Sequence, residues 1–446
     1  MPILLAGMIL MLASSLPGIC ADEEWTNVKR EIHREMGGKD LVAQMKALDK
    51  LSGQDNLDAA KFVVDLSEKK SVSPALTGYA CRIMSTYRNE AVQKYLADII
   101  RKNPLCQKFV FDAISRMGIP DTKQIFIDIL TGPKRNNKDY PDYYVMSLRA
   151  MGCFPEQDDK IVDLLVSKLK DTEPQGVRKS AAEALGGIRS PKCLPALVEY
   201  VGDQVISETA VESAERLTGL DLGADRDKWL KWMAEQGDKV KLAYLSREEY
   251  GQMKEKRKKE EALKEEPIRE TSFYGIKLKG RNIYFILDRS GSMNTAGVSG
   301  SRISKLKMEM TQIVDKLENS DRKYDFGVYF FGGLLKFPTN GLCSNKSKNM
   351  ERLKRFLDGV EAYGNTPLKT ALATTFDEVV PKNNIDTIYL LTDGEPTDGT
   401  PDDIVSMVSE RNLGSYVRIN TISLGQPSDM LKKISEMTGG EYVYVP

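Results

Sequence analysis

Histidine is almost missing from this chain: His33 is the single one among 446 residues. Ser-His-Asp triads, Cys-His pairs and histidine-bearing zinc clusters all need imidazole beside the chemistry. Most hydrolase mechanisms therefore lose their base. His33 itself stands among Glu31, Arg34 and Glu35 and reads as part of a solvated helix face. Net charge is missing too, because 64 Lys plus Arg are matched by 64 Asp plus Glu. Without an overall basic field to hold a polyanion, nucleic acid is disfavoured as the main partner. Cysteine is sparse. Apart from Cys20, the chain has Cys81, Cys106, Cys153, Cys193 and Cys343, with no CxxC spacing. That pattern predicts small buried hydrophobes, with room for a bridge or two after export, rather than a metal cluster or a disulfide framework.

Long apolar runs are also lacking, except at the start. Residues 1–13 are apolar throughout and are followed by Pro17, Cys20, Ala21 and the acidic Asp22, Glu23 and Glu24. This has the shape of a secretory signal cleaved after Ala21, although its first residues carry no Lys or Arg. It falls short of the ~20 residues a spanning helix wants. Cys20 invites a lipoprotein reading, but Ile19 stands where a small residue is expected. Export to the periplasm or the exterior, with no membrane span in the mature chain, is the preferred expectation.

Length predicts two to three domains at roughly 150 residues each. A recurring mark divides the first half: a small or apolar residue, then three positions on a Leu or Met, usually with Gly close behind. The second members are Leu51, Met84, Met117, Met151, Leu185 and Leu217, spaced by 33, 33, 34, 34 and 32 residues. Between marks lie two helical patterns, each with an apolar face that neighbouring units must bury. The expectation is an α-solenoid over residues 22–245, in which the units before residue 110 rest mainly on spacing. Trp229 and Trp232, three apart on one helix face, read as a plug for the last unit. From 246 to 270 the composition turns to Lys, Arg and Glu, predicting a solvated helical strut that Pro267 ends.

From 271 to 446 the periodicity changes. Short β-rich runs at 283–287, 326–331, 388–391 and 417–424 alternate with helical faces. One such face carries Ile303, Leu306, Met310, Ile313, Val314 and Leu317, and another Leu368, Leu372, Phe376 and Val379. Two of the runs are apolar throughout, as central parallel strands should be. The expected fold is therefore multidomain, an all-α solenoid followed by a doubly wound α/β domain.

Such sheets bind ligands at the carboxyl ends of their central strands. There stand Asp288, Ser290 and Ser292 in a DxSxS pattern, and Asp393 in a TDG pattern. A third loop holds Thr366, expected at a helix N-cap with Pro367 in the first turn. Together these five side chains offer two carboxylates and three hydroxyls, a set of hard oxygens suited to a hard divalent cation. With so few anions, the ion stays electrophilic enough to take an acidic side chain from outside. Glu395 and Asp398 read as solvated loop acids.

These residues resemble the metal-ion-dependent adhesion site of von Willebrand factor type A domains, over about residues 273–446, and residues 177–201 resemble a HEAT-type repeat. The whole resembles a secreted bacterial protein with a type A domain behind HEAT-like repeats. The resemblance implies metal contact through Ser290, Ser292 and Thr366, with Asp288 and Asp393 binding directly or through water. It implies magnesium first, with manganese or calcium as alternatives, and a protein partner supplying Asp or Glu. The leading expectation is an exported scaffold or adhesion protein without catalytic or cofactor-binding residues, whose repeats form a second interaction surface. Two alternatives stand beside it. Repeats followed by a type A domain also resemble the Ro family of RNA-binding proteins, which charge and export oppose. An enzyme is the other: an aspartyl-phosphate enzyme using Asp288 would want a second acid where Ser290 stands, and a metal-dependent hydrolase would want a general base beside the ion, which is not evident.

Overall fold

The computed structural model describes residues 21–446 apart from 39–40, 134–138, 204, 237–241, 263–271, 298–299, 321–322, 334 and 337–340. The expected leader, except for Ala21, and the end of the expected strut lie outside the described residues.

Helices fill the chain from Ala21–Met36 to Arg247–Ala262. Local signals set many of their starts. Asn56 accepts from Ala59 N at 2.9 Å to open Leu57–Glu68, and Ser73 with proline behind it opens Pro74–Met84. The repeating marks Met84, Met117, Met151 and Leu185 each end a helix, Leu217 falls one residue short of one, and Leu51 sits in a 3₁₀ turn. All six are buried. The early units thus fold like the later ones, because a helix pair with one apolar face must stack on its neighbours whatever its exact sequence. Gly118 shows how the chain reverses: its φ of 65° is left-handed, and a Cβ there would meet the Cys153 carbonyl oxygen at 2.8 Å. Trp229 is fully buried and donates from its indole to Gly223 O at 2.9 Å, closing the stack as a cap. Cys81, Cys106, Cys193 and Cys343 are buried, Cys153 is half-buried, and all five are free thiols. His33 is exposed, edge-on to Phe62.

The charged strut is not wholly solvated. Tyr250 is buried and donates to Glu215 Oε2 at 2.7 Å, and Lys254 pairs with Glu212, so the helix start is docked on Ser207–Thr218. An aromatic ring in the first turn supplies the apolar anchor that the charge pattern around it obscures.

The α/β domain is built on a seven-stranded sheet: β1 Asn282–Asp288, β2 Asp325–Phe331, β3 Leu335–Lys336, β4 Cys343–Ser344, β5 Thr387–Thr392, β6 Arg418–Leu424 and β7 Tyr442–Val445. Their order is β7-β6-β5-β1-β2-β3, with β4 also on β2. β1, β2, β5, β6 and β7 are parallel, and only β3 and β4 run against β2. Burial on both faces explains the continuous apolar runs of β1 and β5. Ile283, Phe285 and Leu287 pack under Arg302–Glu318, whose expected face of six apolar residues is buried throughout. Tyr284 and Ile286 face Leu368–Thr374, Pro401–Arg411 and Asp429–Thr438. The helix beginning at Leu368 continues through a π-turn at Thr375–Val379.

The two domains are docked. Helix Pro401–Arg411 lies on solenoid helix Pro74–Met84, and a Cβ on Gly176 would strike the Gly414 carbonyl oxygen, so the backbones touch there. Arg149, buried in the solenoid, pairs with Asp112, donates to the Ser115 hydroxyl at 2.9 Å and reaches the Tyr416 hydroxyl just before β6. Arg418, the first residue of β6, pairs with Glu208 at 2.7 Å. The solenoid therefore grips the amino-terminal edge of the sheet. The carboxyl-terminal edge faces away.

Burial alone would raise the Asp112 carboxyl, but Arg149 and Arg116 outweigh it and hold Asp112 well below the usual carboxylate range. Removing it strands a buried guanidinium, so Asp112→Ala is expected to cost about 3–5 kcal/mol in urea unfolding followed by circular dichroism. A carboxyl with a depressed folded value stabilises fully above its unfolded value of about 3.9 and loses that contribution as pH falls below it. The stability gap between wild type and Asp112→Asn should hold from pH 7 to 5 and shrink below about 3.9; a gap already gone at pH 6 contradicts this account.

Candidate metal centre

β1 and β5 lie side by side in register, with Leu287 opposite Leu391. The chain leaves β1 for β2 on one side, while β5 stands on the other, so the crevice between their ends is the topological switch point. Asp288 ends β1 and is fully buried. Its Oδ1 accepts from Ser290 N at 2.7 Å, and its Oδ2 accepts from the Thr392 hydroxyl. Burial pushes the Asp288 carboxyl above its ordinary value. The hydrogen bonds from Thr392 and Ser290 oppose that rise, and the nearby Asp393 charge adds to it.

After Asp288 the chain turns through a short 3₁₀ helix, Gly291–Asn294, which sets the Ser290 and Ser292 hydroxyls 2.9 Å apart. Ser292 donates to Asp393 Oδ1 at 2.7 Å and is itself exposed. Arg302 donates to Asp393 Oδ2 at 2.7 Å. The first loop is held down at Gly332, whose φ is 91° and where a Cβ would fall 2.8 Å from Ser290 N. Gly291 N donates to Gly364 O at 2.9 Å and ties the third loop to the first.

Thr366 is buried beside this circuit. It does not take the N-cap expected of it. Pro367 holds that position, and the Lys369 and Thr370 amides are capped instead by Asp398, at 3.0 and 2.7 Å. Asp398 is thus a helix cap across a loop rather than a solvated acid, whereas Glu395 is exposed. Relieved of capping, the Thr366 hydroxyl lies 3.7 Å from where a Cβ on Gly394 would stand, and the Ser292 hydroxyl 3.8 Å from the same point. The two hydroxyls thus stand on either side of Gly394, in ordinary contact range of one point.

All five expected side chains converge at one end of the sheet. Their donors are two carboxylates and three hydroxyls, which fit a small hard divalent cation. Among the described residues no trio of His, Cys, Asp and Glu is gathered for a metal. Three contributors escaped the sequence reading. Thr392 was visible only as the first letter of TDG, Asp398 acts through a contact 29 residues away in the chain, and Arg302 is brought in across 91 residues with no local motif to announce it.

An open α/β sheet with an oxygen-only cluster at its switch point, borne on stacked helix pairs, defines a repeat scaffold that presents a candidate cation-binding domain. Residues 281–444 match the family model of the von Willebrand factor type A domain, and residues 134–215 match that of HEAT repeats. The chain carries a type A domain behind HEAT repeats. Inter-alpha-trypsin inhibitor heavy chain H4 of Homo sapiens is 28% identical over 152 residues, covering 32% of this chain and 16% of that protein. Deoxyhypusine hydroxylase of Drosophila melanogaster is 43% identical over 75 residues, 16% of this chain and 24% of that enzyme. The match thus spans less than a quarter of each of these two relatives. Among solved structures, von Willebrand factor type A from Catenulispora acidiphila aligns over 37% of this chain and 38% of its own, at 21% identity and a TM-score of 0.33.

Thr392→Val removes the hydroxyl donor from a buried carboxylate oxygen, and is expected to destabilise the protein by about 1–3 kcal/mol in urea unfolding. An unchanged midpoint would show that the Thr392 to Asp288 bond does not hold the site together.

Proposed function

We propose that this chain is an exported, non-enzymatic scaffold or adhesion protein that captures a protein partner through a metal-ion-dependent adhesion site made of Asp288, Ser290, Ser292, Thr366 and Asp393. The observation that carries the reading is the continuous path from Ser290 through Ser292 to Asp393, at 2.9 and 2.7 Å, with Thr366 beside it, on the sheet edge turned away from the solenoid. A divalent cation held there, magnesium in preference to manganese or calcium, supplies a Lewis-acidic position that takes a carboxylate.

The chain's own residues prepare that position. Asp288 and Asp393 are fixed by hydrogen bonds from the chain's own residues, which lowers the cost of ordering them. Ser292, exposed at the mouth, lets a side chain from outside approach. Catalysis is disfavoured on the same geometry. Both oxygens of Asp288 accept hydrogen bonds, so it is poorly placed as a nucleophile, and His33 lies on a solenoid helix against Phe62. The short similarity to deoxyhypusine hydroxylase brings no activity with it.

We further divide the chain into a leader over 1–21, a solenoid over 22–245, a strut over 246–270 and the metal domain over 271–446. The solenoid meets the sheet domain through helices Pro74–Met84, Tyr140–Met151 and Ser207–Thr218, and its remaining surface is left for a second contact. Among the described residues no helix is long and apolar enough to cross a membrane. Export rests on the apolar run at the start of the sequence.

Binding of the purified protein to immobilised envelope proteins, with magnesium or with EDTA, tests the function. Wild type should bind with magnesium and be released by EDTA. Asp288→Ala should lose at least tenfold in apparent affinity, and Glu395→Ala, outside the cluster, should change it little. Equal capture by wild type and Asp288→Ala, both indifferent to EDTA, overturns the proposal.

A further inference from the structure

The geometry points to Arg302 as a built-in counter-ion of this site, a guanidinium that occupies Asp393 until a divalent cation competes with it and that so sets how tightly the cation is held. The inference rests on the metal-site reading above and adds to it a residue that the five-ligand set leaves out.

Arg302 is the first residue of helix Arg302–Glu318, and its backbone N–H donates to Thr295 O at 3.1 Å, which fixes where its side chain starts. From there the guanidinium crosses to the loop after β6. A Cβ on Gly425 would fall 2.6 Å from its Cζ, so the guanidinium passes directly against this glycine, whose φ of 78° is left-handed. The guanidinium ends on Asp393 Oδ2 at 2.7 Å, and Ser292 occupies the other oxygen at 2.7 Å. Both oxygens of the Asp393 carboxylate are therefore met by the chain's own donors. The burial is unequal: the Asp393 side chain is fully covered, while that of Arg302 is 27% exposed. The cation end of this pair has somewhere to go, and the anion end has not.

The charges state the consequence. Two carboxylates with one guanidinium leave the cluster at one net negative charge, and a doubly charged ion entering beside Ser292 and Asp393 meets a positive neighbour in a poorly screened setting. Arg302 thus does two opposed things. It stabilises the metal-free protein by pairing a buried carboxylate, and it weakens the cation. A residue with a merely structural role would do the first without the second.

Magnesium and manganese are titrated calorimetrically into the full chain as wild type, Arg302→Gln and Arg302→Lys, and each is melted with and without magnesium. Arg302→Gln should bind both ions about tenfold more tightly, melt lower without metal, and gain more from magnesium than wild type does. Arg302→Lys keeps the charge on a shorter, more strongly hydrated arm and should fall between the two. Unchanged or weaker binding by Arg302→Gln, with equal melting losses in both conditions, overturns the role of Arg302 while leaving the metal site standing. Should Arg302→Gln fail to fold, Arg302→Lys decides, and an affinity no tighter than wild type overturns the proposal. If wild type and variants all fail to bind either ion at millimolar concentration, the metal-site reading falls and this inference falls with it.

Discussion

A carboxylate buried at the end of a central parallel strand has to be surrounded by donors, and Asp288 imposes that requirement on everything near it. Its two oxygens are met by Ser290 N and the Thr392 hydroxyl, one from its own turn and one from the neighbouring strand. Those bonds fix the turn that sets Ser292, and Ser292 in turn meets Asp393. A second buried carboxylate so close to the first demands positive charge, and Arg302 provides it at Asp393 Oδ2. The cluster is thus a consequence of placing two acids at the switch point of a sheet whose two central strands, β1 and β5, are otherwise largely apolar.

The same sheet explains the arrangement of the two domains. Its carboxyl edge is occupied by polar loops, so the solenoid takes the opposite edge. There Tyr416, Arg418 and the glycines at 176 and 414 permit close backbone contact. Tyr416 adopts a left-handed φ of 52°, a strained setting for a tyrosine, and it is held there by Arg149 and Lys179 of the solenoid and by its own N–H, which donates to Asn412 O at 3.1 Å. Gripping the sheet from below leaves the candidate metal centre facing outward. A partner would approach from the side that the solenoid does not cover.

Much of this architecture was legible in the sequence, for reasons that can be named. β1 and β5 are covered on both faces, so their residues had to be apolar without alternation, and the helix over 302–318 has one covered face, so its pattern had to repeat every three to four residues. The 33-residue marks were legible because each unit buries the same position against the next. The five oxygen-bearing side chains stood out because they lie at or just past the ends of apolar strand runs or just before a helix. What stayed hidden depends on distance in the chain. Asp398 caps a helix that begins 30 residues earlier, Arg302 reaches Asp393 only after the sheet is assembled, and Tyr250 pins the strut within a run of charge. Thr before Pro usually signals an N-cap, yet at Thr366 the tertiary contact from Asp398 prevails over that local preference.

The central claim is that Ser290, Ser292, Thr366 and the two aspartates form a nest for one hard cation. The most direct measurement is a crystal structure of the manganese-soaked protein, with anomalous scattering recorded at the manganese edge. The account predicts one strong peak within bonding distance of the Ser290, Ser292 and Thr366 hydroxyls. A map with those side chains ordered and no peak between them would contradict it.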